Sequence, residues 1–373
     1  MQWFIYLNIA ALTLLAIHFG VPLIYYWYAK NRWLLKPWNI EIDLNYRPKV
    51  TIIIPTYNEA KMIRHKLDNI IEQTYPKNKL EVIVIDSAST DGTLDIVRKW
   101  MKEHSDLHLK VLEEFERKGK ALALNNALKY AEGEVIIITD ADSLWLSKRT
   151  IEEAVKWFKD LAIGAVSCLK TPSGVNVVSV EEGYRHYYNI LRVAESRAWS
   201  TPIFHGELAA FRKELLDKVG GFPIDIGADD SYTATRIALM GYRAIIPENI
   251  VCMEIVPQNG YHSWRIRRAQ HLIQHFLKIL RTKPKTNKAF KQILYTEAYL
   301  HLINPWILLT ATTLLITSII MGSILAMTLL TIGISLLIYK PYRTWITTQI
   351  YLITATIRNL WTKETIWKKQ TKS

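Results

Sequence analysis

Glu134-Val-Ile-Ile-Ile-Thr-Asp-Ala-Asp142 is the stretch on which the fold turns. Its apolar run, 135–138, is short, β-branched and bounded by polar residues, the pattern of a strand buried on both faces. It ends in Thr139-Asp140-Ala141-Asp142. Two carboxylates two residues apart at the end of a buried strand are costly unless something positive sits beside them. A hard divalent cation carrying phosphate oxygens meets that need, because Mg2+ takes one or two carboxylates plus substrate phosphates. Taken alone, the same Asp-Ala-Asp also suits a solvated strand end.

Around this stretch, residues 48–258 alternate strand and helix patterns. Val50-Thr-Ile-Ile-Ile54, Leu80 to Ile85 and Leu107 to Leu112 read as strands. Ile63, Leu67, Ile70 and Ile71, then Leu94, Val97 and Trp100, then Ala121 to Tyr130 carry the helical spacing. This order predicts an α/β domain with a mainly parallel sheet and ligands outside the carboxyl ends of its strands. Three motifs fall at those ends: Pro55-Thr-Tyr-Asn-Glu59, Asp86-Ser-Ala-Ser-Thr-Asp-Gly92 and Asp140-Ala-Asp142.

The 373 residues carry a formal net charge of +13, unevenly placed. Residues 259–291 hold nine basic and no acidic side chains, and 340–373 hold seven basic and one acidic. Block 50–258 is mildly acidic, with 26 basic against 30 acidic residues. A nucleic-acid binder would place its basic surface on the folded domain. Here the cations flank apolar segments, which points to anionic lipid headgroups and no nucleic acid. Residues 1–30 predict an uncleaved transmembrane anchor, uncharged from Trp3 to Tyr28 and closed by Tyr25-Tyr26-Trp27-Tyr28, Lys30 and Arg32. That arrangement sends the following domain into the cytoplasm. Residues 259–292 predict a basic amphipathic helix in the headgroup region. Residues 298–339, uncharged and twice the ~20 residues of one span, predict a transmembrane hairpin turning near Met321-Gly322-Ser323. Residues 342–373 predict an interfacial helix and a basic cytoplasmic tail. Cys168 and Cys252, both in apolar runs, read as buried thiols in a reducing compartment.

Together these motifs resemble the glycosyltransferase family 2 enzymes with a GT-A fold, in particular membrane-integrated members such as dolichyl-phosphate-mannose-type synthases and the cellulose and hyaluronan synthases. The resemblance covers roughly residues 48–258. It implies that Pro55, Thr56, Tyr57 and Glu59 cup the nucleobase and ribose, and that Asp86 accepts hydrogen bonds from the base. Ser87 stands where the family usually has a second Asp. Lys118-Gly119-Lys120 matches the segment that holds phosphate or ribose. Asp140 and Asp142 match the D-x-D, with Asp142 ligating Mg2+ or Mn2+ and Asp140 helping or touching the ribose. Gly206 and Arg212 match the acceptor-side segment. Asp230 falls at the general base, with Asp229 beside it. Two acids at a helix start also serve as caps and dipole partners. The processive synthases carry Q-x-x-R-W on an interfacial helix; Trp264-Arg-Ile-Arg-Arg268 lacks both the Gln and the final Trp. Arg267 and Arg268 remain candidates for diphosphate or lipid phosphate.

The expected activity is an inverting, metal-dependent transfer from a nucleotide sugar, GDP-mannose first and UDP-glucose second, to a lipid-linked hydroxyl. A polyprenyl-phosphate acceptor is the nearest alternative. Processive polymer synthesis and an inactive membrane-anchored nucleotide-sugar sensor stand further off.

Overall fold

The computed structural model describes residues 3–173, 178–257, 259–364 and 366. The chain enters through α1 (Trp3–Tyr28). It then lays down β1 (Val50–Thr56), α2 (Ile63–Ile71), β2 (Leu80–Ser87), α3 (Thr93–Glu103), β3 (His108–Glu114), α4 (Lys120–Leu128) and β4 (Val135–Ile138). The second half of the domain holds β5 (Ser143–Trp145), α5 (Thr150–Val155), β6 (Ile163–Ser167), β7 (Leu169–Ser173), α6 (Val178–Ala198) and β8 (Ala209–Arg212). It closes with α7 (Lys213–Lys218), α8 (Asp229–Leu239), β9 (Arg243–Ile245) and β10 (Val251–Ile255). Five helices follow: α9 (Tyr261–Arg281), α10 (Lys288–Leu302), α11 (Asn304–Ile320), α12 (Ile324–Ser335) and α13 (Lys340–Arg358).

Seven strands form one sheet in the order β3-β2-β1-β4-β8-β6-β9, and β5-β10-β7 form a smaller one. In the large sheet β8 alone runs against its neighbours. The period-2 alternation of a strand divides the core. Ile52, Ile54, Val82, Val84 and Ile137 pack on one face, and Ile53, Ile83, Ile136 and Ile138 on the other. With both faces covered, the runs 52–54, 82–85 and 135–138 of β1, β2 and β4 are apolar throughout, and polar residues flank them. Register then aligns those ends: β1 pairs with β2 from Val50 opposite Leu80 to Thr56 opposite Asp86, and Ile53 lies opposite Ile138 of β4.

Outside the domain, α1 and its continuation to Trp33 form a helix long and apolar enough to cross a membrane. Within the segment expected to form a hairpin, α11 follows α10 with a bend of 41°. Met321-Gly322-Ser323 makes the turn, with Gly322 at φ +89°. Asn8 of α1 donates to Ser323 Oγ at 2.8 Å and accepts from Ser318 Oγ at 2.6 Å, joining the three helices through paired polar groups. Between the α12 segment and α13 the chain bends by 107°. α13 then packs along α9. α9 itself is less exposed than its composition suggests. Trp264, Arg265, Ile273 and Phe276 are buried, and Arg265 and Arg268 meet protein carboxylates. Most of the basic tail expected after Leu360 lies outside the described residues.

Candidate active site

An open cleft of about 2070 Å3, mouth included, runs from the carboxyl ends of β1 and β4 to the faces of α9 and α13. Pro55, Thr56, Tyr57, Glu59, Lys120, Asp140, Asp142, Gly206, Asp229, Asp230, Arg267 and Arg268 all line it. Asp86 and Lys118 do not. Asp86 is buried in the β1–β2 seam, where it accepts from Thr56 Oγ1 at 2.8 Å, Ser89 N at 2.8 Å and Ser89 Oγ at 2.6 Å. The in-register neighbour Thr56 claims the carboxylate, and Ser87 takes the place on the wall. Lys118 is exposed and pairs with Glu116 at 2.5 Å. Its neighbour Arg117 is the one that turns inward, its guanidinium 3.9 Å from the centroid of the Tyr57 ring. Arg212 clamps the carbonyls of Phe158, Asp160 and Ile163 and is also absent from the wall.

Lys120 ties the acidic floor of the cleft together. Lys120 Nζ lies 2.7 Å from Asp140 Oδ1 and 3.6 Å from Asp229 Oδ2. Burial alone would lower its pKa, but Asp140, Asp229 and Asp230 outweigh it and hold the ammonium above the ordinary lysine range. Asp229 is 6% exposed, and burial raises its carboxyl pKa. Asp230 is half-buried, and its carboxyl is pushed up to about 7, by burial first and then by Asp229. That value suits a group that takes up a proton near neutral pH. Gly206 serves this cluster. A Cβ there would sit 3.0 Å from Asp140 Oδ2 and 3.1 Å from Lys120 Nζ, so any side chain would press on the ion pair.

Beneath Asp142, Lys66 of α2 is fully buried. It donates to Ser143 O at 3.0 Å and lies 4.5 Å from the centroid of the Trp145 ring. Burial lowers its pKa to about 8. From the sequence it belonged to an ordinary amphipathic helix, and only a positive charge on the apolar side of the stripe hinted otherwise.

The opposite wall is a lattice of buried ion pairs that no local motif announced. Lys170 of β7 reaches Glu207 at 2.7 Å and Glu254 at 3.1 Å. Arg185 of α6 pairs with Glu254 at 2.6 Å, Arg268 with Glu254, and Arg265 with Glu181 at 3.2 Å. Burial would raise the Glu254 pKa, yet Arg185, Arg268 and Lys170 hold it well below the usual carboxylate range. Tyr184, Tyr188, Trp264 and Tyr351 complete this wall. The guanidinium of Arg265 lies 4.1 Å from the Tyr184 centroid, and that of Arg268 lies 4.7 Å from Trp264.

Residues 51–220, which include β1 to β8 and the Tyr57 and Asp140–Asp142 strand ends, match the sequence profile described as glycosyl transferase family 2. The mannosyltransferase PcManGT from Pyrobaculum calidifontis, solved with GDP-Man and Mn2+, is 58% identical, with a TM-score of 0.90 over 96% of this chain and 100% of that one. The chain belongs to glycosyl transferase family 2. Poly-beta-1,6-N-acetyl-D-glucosamine synthase of Staphylococcus aureus is 26% identical over 297 residues, which is 75% of this chain and 69% of the synthase. The structure of GalNAc-T7 with UDP, GalNAc and Mn2+, 16% identical with a TM-score of 0.50 over 70% of this chain and 59% of that one, shares the fold alone. In this family 2 glycosyltransferase the GT-A sheet therefore carries the cleft at the expected strand ends. The contacts that complete the cleft come from α6, β7, β10, α9 and α13.

Proposed function

We propose that this glycosyltransferase moves mannose, with inversion, from GDP-mannose to a hydroxyl of a lipid-linked acceptor at the cytoplasmic face of a membrane. The observation that carries the reading is Asp230, a carboxyl poised near neutrality in one cleft with Tyr57, Asp140 and Asp142. The donor follows from the 58% identical mannosyltransferase solved with GDP-Man and Mn2+. The membrane follows from α1, whose length and apolar surface suit a span.

The donor set suits a divalent ion shared with phosphate. Among the described residues no three His, Cys, Asp or Glu side chains gather into a metal site, while Asp140 and Asp142 both reach the cleft. One or two carboxylates plus a diphosphate is the set that Mg2+ accepts, and Mn2+ shares its preference for oxygen ligands. Asp142 would hold the ion, with Asp140 beside it and tied to Lys120. When bound, the ion neutralises charge on the departing diphosphate. Asp230 removes the proton of the acceptor hydroxyl. The oxygen then bonds to the anomeric carbon as the bond to the diphosphate breaks, and GDP leaves with the electron pair. Lys120 and Asp229 set the basicity of Asp230, and Tyr57 offers a stacking face to the base. α1 and the C-terminal helices bring a lipid acceptor to this mouth already oriented.

The test is transfer from a panel of nucleotide sugars to membrane lipids with Mn2+ or Mg2+, read as released diphosphate and labelled glycolipid. GDP-mannose should lead the panel, and Asp230→Asn should lower transfer to a hydroxyl by about 10³-fold. Unchanged transfer by that variant would overturn the assignment of the base. The arginine-rich wall favours a second reading, a polyprenyl phosphate acceptor. Such a nucleophile is already ionised, and Asp230→Asn would then be mild.

A further inference from the structure

The segment that delivers Asp230 to the cleft, residues 223–228, belongs to neither sheet and is the later part of the link from α7 to α8. α8 begins at Asp229 with no side-chain cap from Ala228. What holds the segment is α9. Gly227 N donates to Gln274 Oε1 at 3.1 Å. The imidazole of His271 lies so close that a Cβ on Gly227 would come within 2.2 Å of Nε2. One turn further along α9, Lys278 pairs with Asp225 and lies 4.6 Å from the centroid of the Tyr232 ring.

Gln274 is 7% exposed, and its amide is fully used. Its Nε2 donates to Asn359 Oδ1 and to Lys363 O, both at 2.8 Å. An amide has two N–H donors and one carbonyl. Two acceptors at the end of α13 therefore leave the oxygen to face Gly227. Gln270, one turn away, donates to the same strap, reaching Thr362 O at 3.1 Å and Asn359 Oδ1 at 3.4 Å, with no hydrogen bond to residues 223–228.

We infer that Gln274 is a positioning residue for the transfer reaction, relaying the placement of the end of α13 to the backbone of Gly227 and so to Asp230. The strap at 359–363 orients the amide, the amide pins Gly227, and Gly227 sets where α8 starts. The helix that packs beside α9 next to the membrane thereby bears on the base. This rests on the reading of Asp230 as the base, and extends it to side chains that touch neither donor nor acceptor.

The experiment uses full-length protein in lipid, GDP-mannose, a membrane lipid extract and Mn2+, with kcat and the KM for GDP-mannose measured separately. Gln274→Leu and Asn359→Leu should each lower kcat roughly tenfold or more, since a misplacement of about 1 Å can cost 10²-fold. The KM for GDP-mannose should stay within about twofold. Asn359→Asp, which keeps the acceptor, should restore most of kcat. Gln270→Leu should leave kcat within about twofold even where it lowers Tm. If Gln274→Leu does not fold, the Asn359→Leu and Asn359→Asp pair decides the matter. Wild-type kcat in both leucine variants, or equal losses in Gln270→Leu and Gln274→Leu, would overturn the inference. Asp230→Asn in the same assay separates the two levels. Transfer retained there removes the base, and this inference with it. Transfer lost there, beside an unaffected Gln274→Leu, removes this inference alone.

Discussion

The two walls of the cleft solve opposite electrostatic problems. The sheet wall gathers Asp140, Asp229 and Asp230 around Lys120, with Asp142 also lining the cleft, and burial first, then Asp229, pushes the Asp230 carboxyl up. The helical wall sets Lys170, Arg185, Arg265 and Arg268 against Glu181, Glu207 and Glu254, and Glu254 is held firmly ionised. On one wall burial and a neighbouring acid raise a carboxyl, and on the other three cations keep a buried carboxylate ionised.

The comparison breaks first at Asp230. Asp230→Asn should lower kcat by about 10³-fold, ~4 kcal/mol of barrier, measured in steady-state transfer to a hydroxyl acceptor. In the wild type kcat should rise with pH through about 7, because the base works only when deprotonated. A profile flat from pH 5 to 9 would count against it. On the helical wall the loss should fall on stability. Glu254→Gln leaves Lys170, Arg185 and Arg268 facing a neutral amide, and breaking a buried pair costs about 3–5 kcal/mol, readable by denaturant unfolding. Gly206→Ala presses on Asp140 and Lys120 and should lower kcat roughly tenfold with little change in Tm.

A smaller effect sharpens the contrast. With the Asp230 carboxyl near 7 in the native state and ~3.9 when unfolded, the native state alone holds that proton between the two values. Its contribution to stability therefore falls as pH rises from about 4 to 7. Asp230→Asn should be more thermostable than wild type at pH 8, the gap closing toward pH 4. Lys118→Ala, on the exposed side of the loop, should change neither kcat nor stability by more than about 0.5 kcal/mol.

Much of the sheet wall was legible in the chain because each of its parts is local. The run 135–138 is apolar on both faces, so Asp140 and Asp142 had to lie at its end, and the same logic placed Tyr57 and Glu59. Locality also marks what the sequence leaves open. Lys118 and Arg117 are adjacent, and nothing in their spacing tells which one turns inward over Tyr57. Asp86 sits at the right strand end, but its carboxylate is claimed by Thr56, a partner set by register between strands. Lys66 reads as one turn of a surface helix until α2 is laid against β5.

By itself the sequence determined an α/β sheet with acids at its strand ends and apolar helices to either side. Those features follow from periodicity and from the cost of burying a bare charge. Only the tertiary structure decided which cations answer which acids. Lys170, Arg185, Glu254 and Arg268 lie on four different elements, and their pairing depends on distances that close when α6 and α9 pack onto the sheets. The placement of Asp230 is of the same kind. Its pKa is raised by burial and then by Asp229, and the nearby Gly227 N–H is held by Gln274, forty-four residues beyond Asp230.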